Sequence, residues 1–199
     1  GNIAAYAPDI DRIGISEEPV REPERKLGKN PIVTDIYTAD PAPLVVGDTL
    51  YLYVTHDEDE LVNGFYTMYD WHCYSTTDMV NWTDHGVVFS LDDIFWADDR
   101  AWAPQVVERN GKFYMYCPVH KINGGMAIAV GIADSPTGPV TGVLYPLVNE
   151  GDWNDIDPTV FVDDDGNEVV ADSEDNAQRM AWRGDIVMKG YYKDEKITS

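Results

Sequence analysis

Three stretches of this chain follow one plan. Asp40-Pro41 opens an apolar run that turns at Gly47 and resumes through Tyr53, Ala103-Pro104 opens one that turns at Gly111 and resumes through Tyr116, and Asp157-Pro158 opens one that turns at Gly166. Each reads as strand, tight turn and strand. Pro41, Pro104 and Pro158 recur at intervals of 63 and 54 residues, and a degenerate strand repeat on this scale is what a radial stack of small antiparallel sheets, a β-propeller, writes into a sequence. Equivalent positions of such repeats lie at equivalent distances from the central axis. The two Asp-Pro steps are therefore expected to bring Asp40 and Asp157 to one central cavity, with Ala103 as their counterpart.

Composition narrows what that cavity serves. The chain carries 36 acidic against 14 basic residues, a formal charge of -22, which repels nucleic acid and anionic lipid and excludes both as partners. A neutral glycan is indifferent to that charge, and high net charge keeps a protein soluble outside the cell. A secreted or periplasmic location is accordingly expected, with no membrane span, since no apolar run approaches the length that crosses a bilayer. Cys73 and Cys117 each fall inside a predicted strand in neither a CxxC nor a zinc spacing; buried free thiols and one disulfide both satisfy that pattern. The start at Gly1, without Met or a basic-then-apolar leader, fits a processed or trimmed N-terminus.

Along the chain, residues 1–29 are rich in Pro, Glu and Arg and read as an extended lead-in, and residues 30–199 read as a partial propeller of about three blades. Leu50–Thr55 is patterned as a strand buried on both faces, Trp71–Ser75 as another, and Met126–Ala133 as the third strand of the second unit. No amphipathic helix is evident. The third unit loses its pattern after Gly166, and the repeat spacing puts the next inner strand beyond Ser199, so the chain is expected to stop within or just after a third blade. Exposed sheet edges then favour self-association, including a homo-oligomer that completes the ring.

Asp before Pro commonly initiates a turn, but two at the same repeat position, each opening an apolar strand, point to paired carboxylates for acid/base work. Trp102 and Trp71 are candidates for stacking on the apolar face of a sugar, Gln105 for bonding its hydroxyls, and His56 for reaching the cavity from a strand end. Asp163–Asp165 before Gly166 reads as a hairpin turn and not an EF-hand, because the earlier ligand position is Phe161. Asp57–Glu60 reads as a solvated loop, and His56, His72, His85 and His120 show no paired metal-ligand spacing, so no metal site is expected. No cofactor is required; a structural calcium ion is compatible with the sequence, with His56 as a candidate neighbour. Asn81-Trp82-Thr83 is formally a glycosylation sequon but looks like a blade turn.

Five stretches in this order, Thr38–Pro41, Tyr74–Trp82, Trp102–Tyr114, Asp134–Pro139 and Asp155–Gly166, resemble glycoside hydrolase family 43. The resemblance covers about residues 30–168 and implies a five-bladed propeller that cleaves arabinose- and xylose-containing glycans by inversion. It further implies Asp40 as the general base that activates water and Asp157 as the residue that tunes and orients the general acid. Inversion sets acid and base roughly 6.5–9.5 Å apart, leaving room for the water. The family's acid, a Glu on a later inner strand, has no match here. Arg179 occupies the position where it would fall, and Glu174 and Glu195 are the remaining candidates. A chain with base and modulator but no acid is expected to bind an oligosaccharide or polysaccharide and to cleave it slowly or not at all; a non-catalytic carbohydrate-binding or vestigial propeller fragment is the alternative.

Overall fold

The computed structural model describes residues 28–59, 66–142, 144–149, 153–162, 168–171 and 180–181. The expected lead-in over residues 1–29 lies almost wholly outside these. Among the described residues twelve strands form three antiparallel sheets, and the one helical element is a 3-10 turn at Leu91–Asp93.

The first sheet is a four-stranded meander of β1 (Tyr37–Val46), β2 (Thr49–Asp57), β3 (Asp70–Thr76) and β4 (Thr83–Ser90). In the second, β5 (Ala97–Asp99) and β6 (Gln105–Arg109) share one edge of β7 (Lys112–Lys121), followed by β8 (Met126–Ala133) and β9 (Thr141–Gly142). The third sheet orders β10 (Thr159–Val162), β11 (Glu168–Ala171) and β12 (Met180–Ala181). The second strand of the third repeat thus forms despite its polar sequence, paired to β10 through four residues from Thr159↔Ala171 to Val162↔Glu168.

The strands opened by the three prolines, β1, β6 and β10, are spatial neighbours, with β6 packed against both others. That arrangement is the inner ring of a propeller. The hairpin joining β6 to β7 turns on Asn110 and Gly111, with φ of 53° and 75°. Two consecutive left-handed residues give the primed turn whose twist matches paired strands, and Asn-Gly adopts it at least cost.

The main core fills the space between the first two sheets. Trp71 stacks on Phe89 with centroids 5.2 Å apart, among Ile94, Met115, Cys117 and Val119. A smaller cluster of Tyr116, Ile128, Val130 and Val148, with Val160 against it, joins the second sheet to the third. β8 is buried along nearly its whole length because it lies in a blade covered on both faces. β2 is fully buried only from Tyr53 to Thr55; Leu50–Leu52 are half-buried, a milder burial than its sequence pattern predicts. The turn after β8 ties the sheets together, since Tyr53 Oη donates to the Pro136 carbonyl at 2.6 Å and Val140 N–H donates to the Val88 carbonyl at 3.0 Å.

Candidate active site

Asp40 sits on a β-bulge. Ala39 pairs with Thr55 and Ala42 with Tyr53, so Asp40 and Pro41 together face Val54 alone. Proline donates no hydrogen bond and suits the unpaired position. Asp40 takes φ of 50°, in the left-handed region that Asp tolerates better than most side chains, and Asp157 takes the same value of 50° before Pro158. The same backbone conformation recurs at the same repeat position, within β1 for Asp40 and just before β10 for Asp157.

Both line one cleft of about 330 Å³, and Ala103 lines it at the equivalent place in the second repeat. Asp57, Tyr66, Met68, Trp102, Ala39 and Ile156 complete the wall. An apolar lining interrupted by a few convergent polar groups is the composition that small-molecule sites share. Two backbone bonds hold the floor: Ala101 N–H donates to the Met68 carbonyl at 2.9 Å and Trp102 N–H to the Pro118 carbonyl at 3.2 Å. The Arg100 guanidinium lies 6.0 Å from the Trp102 ring centroid and steadies the indole.

Burial raises the Asp40 carboxyl above its ordinary range, and the Asp57 carboxylate raises it further, while a hydrogen bond from Thr55 works in the opposite direction. Asp57 is itself raised by burial, with His56 opposing. The cleft therefore holds three carboxyl groups, and the charge on Asp57 disfavours ionisation of Asp40.

Several sequence expectations require correction. Trp71 is fully buried and donates from Nε1 to the Trp102 carbonyl at 2.8 Å, so it supports the cleft from beneath and offers no face to a sugar. Gln105 does not line the cleft; it pairs with Tyr116 across β6 and β7, and its side chain turns to the Val106 carbonyl at 3.4 Å. His56 does not line the cleft either; its Nδ1 lies 3.1 Å from Asp70 Oδ1. Asp57, read in sequence as part of a solvated loop, is instead the last residue of β2 and partly buried. Its position two residues beyond buried Thr55 was the available signal. Tyr66, Met68 and Ile156 left none, because they reach the cleft from connections. Glu174, Glu195 and the Asp163–Asp165 turn lie outside the described residues.

Cys73 and Cys117 are both free and buried, which decides between the two readings of the cysteines. Asn81 donates from Nδ2 to Asp78 Oδ2 at 2.7 Å within a turn, as the blade-turn reading of the sequon expects. Among the described residues two groups offer three metal-ligand side chains each: His56, Asp70 and His72, and Asp98, Asp99 and His120. Neither fits calcium, which takes six to eight oxygens, and in the second group Arg100 already pairs with Asp99.

Inner strands packed side by side around a carboxylate-lined cleft define a propeller of the kind that carries its chemistry on the central axis. The sequence profile of Glycosyl hydrolases family 43 matches residues 28–199, and the chain belongs to that family. It is 40% identical over 145 residues to the xylosidase/arabinosidase 43A of Humicola insolens, covering 69% of this chain and 43% of the relative. It is likewise 40% identical over 152 residues to a xylosidase/arabinosidase of Bacteroides ovatus, covering 73% of this chain and 46% of the relative. Among solved structures it resembles a family 43 β-xylosidase/α-arabinofuranosidase from a compost microbial metagenome, a calcium-free form in complex with xylotriose. The TM-score is 0.64 at 38% identity, over 73% of this chain and 45% of that one. A family 43 enzyme of Xanthomonas citri complexed with xylose superposes with a TM-score of 0.62 at 36% identity, over 69% of this chain and 40% of that one. The chain thus spans less than half the length of these relatives, and its fold is part of their five-bladed propeller.

Proposed function

We propose that this chain supplies the base-bearing half of an inverting pentosidase site acting on arabinose- or xylose-containing glycans. The observation that carries the reading is the shared cleft: Asp40 and Asp157, in the same left-handed conformation before proline, line one cavity with Trp102. In this reading Asp40 takes the proton from the attacking water, and Asp157 tunes and orients the acid that protonates the leaving oxygen. Trp102 offers an apolar wall to the pentose ring. The raised pKa of Asp40 makes it a stronger base than a solvated carboxylate once ionised. Relatives described as xylosidase/arabinosidase, and one crystallised with xylotriose, support the pentose class. A secreted or periplasmic location, where plant glycans are met, belongs to the same proposal.

The test compares leaving groups. A nitrophenyl arabinofuranoside or xyloside needs little protonation, so the chain should cleave it weakly and in an Asp40-dependent manner, with almost no turnover of xylotriose or an alkyl glycoside. Asp40→Asn should abolish the residual rate, because water must be deprotonated whatever leaves. Equal rates on both substrate types would show that a working acid is present, and Glu174 and Glu195 would be substituted in that order. A rate unchanged by Asp40→Asn would remove the base assignment. Xylotriose binding without any hydrolysis would favour the non-catalytic carbohydrate-binding reading.

A further inference from the structure

The first sheet carries a second chemical grouping that the hydrolytic reading does not use. β2 and β3 pair through Val54↔His72 and Thr55↔Trp71, and one further step along the ladder sets His56 across from Asp70. Successive side chains alternate faces, so His56, Asp70 and His72 share the face opposite Trp71. The outcome is two imidazole nitrogens directed at one carboxylate oxygen: His56 Nδ1 lies 3.1 Å and His72 Nε2 3.2 Å from Asp70 Oδ1. All three ligand atoms lie within 4.8 Å of one another. The rings meet edge to face with centroids 5.1 Å apart, which turns their nitrogens toward a common point.

We infer that His56, Asp70 and His72 form a binding site for a divalent transition metal, zinc above all, in a His2Asp set open to water at the fourth position. A tetrahedral ion with bonds of about 2.0–2.1 Å separates its ligands by roughly 3.3 Å, and the two nitrogen–oxygen spacings already match that edge. Nitrogen donors with a single carboxylate select zinc and its neighbours over calcium and magnesium, which take oxygen. The strand ladder fixes all three residues on rigid backbone, so little chain entropy is lost on binding. The side chains are 22%, 21% and 13% exposed, enough to admit an ion and one water. Asp98, Asp99 and His120 form a poorer site, because binding there must displace Arg100 from Asp99.

The experiment is a Zn2+ titration of the whole chain by calorimetry against a competing chelator, paired with a Co2+ titration read in the visible spectrum. One saturable site is expected, with the intense visible bands of tetrahedral cobalt and a melting temperature that rises with Zn2+. Even loss of an outer-shell partner weakens metal binding by about 10–100-fold, so His72→Ala and His56→Gln should each weaken Zn2+ by at least about 100-fold and abolish the cobalt bands. Asp70→Asn, which keeps the side-chain shape, should do the same with an unchanged circular-dichroism spectrum. His120→Ala should leave the affinity as it was. No saturable binding, equal affinity in the native chain and the His72 and Asp70 variants, or loss of binding on His120→Ala would each overturn the assignment.

Discussion

Replacing Trp71 by Phe separates a core role from a sugar-contacting one. The indole is fully buried, stacks on Phe89 and donates to the Trp102 carbonyl at 2.8 Å. Phe keeps the stack but removes the donor, leaving a buried carbonyl without that partner at a cost of about 1–3 kcal/mol. The smaller ring also gives up part of its packing, roughly 1–2 kcal/mol. The variant should therefore lose about 2–5 kcal/mol, equivalent to a drop of roughly 1–2.5 M in the urea midpoint with an unchanged m-value. Because the bonded carbonyl belongs to Trp102, xylotriose binding should weaken in parallel and to a smaller degree than on Trp102→Ala. Urea unfolding followed by tryptophan fluorescence, beside calorimetric titration of xylotriose, measures both. A stability change under about 0.5 kcal/mol, the range of ordinary surface substitutions, together with lost sugar binding would refute the reasoning and restore Trp71 to the site.

Gly131→Ala should destabilise the fold by about 1–3 kcal/mol in the same assay, since overpacking a core costs that much. Its new Cβ would clash with Val140 Cγ1 and come within 3.0 Å of the Phe89 ring. Asp57→Asn should move the acidic limb of kcat/KM on an aryl pentoside to lower pH, because it removes a charge that raises Asp40. A carboxyl raised in the fold favours folding below its unfolded pKa and loses that advantage as pH rises through the folded value. Asp57→Asn should thus also improve stability at neutral pH relative to acid; an unmoved limb would show that the two groups do not interact. Burial pushes Cys73 up to about 12 and Cys117 well above its usual value, Cys73 with help from Asp84. Ellman's reagent should accordingly find no fast thiol in the native chain and two after unfolding without reductant; none after unfolding would mean a disulfide.

The strand repeat was legible because it depends on local rules. Asp-Pro and Ala-Pro steps, apolar runs and turn residues such as Asn110-Gly111 act over a few residues, and they specified the inner strands and the placement of Asp40, Ala103 and Asp157 on one cleft. Local patterning does not say which face of a strand meets another sheet. Trp71 and Trp102 look alike in sequence, yet one is core and the other cleft, because the second sheet packs over Trp71 while the backbone of Trp102 is held beside the cleft by the Pro118 carbonyl. Asp57 passed for loop because its acidic neighbours hide a strand end. The grouping of His56, Asp70 and His72 was invisible for a related reason: strand register, set by long-range pairing of β2 with β3, brings together residues that no helical or turn spacing connects. The sequence determined the repeat and its carboxylates, whereas tertiary packing and register decided which aromatic rings reach the cleft and which polar side chains meet across the sheet. Those choices depend on contacts between segments far apart in the chain.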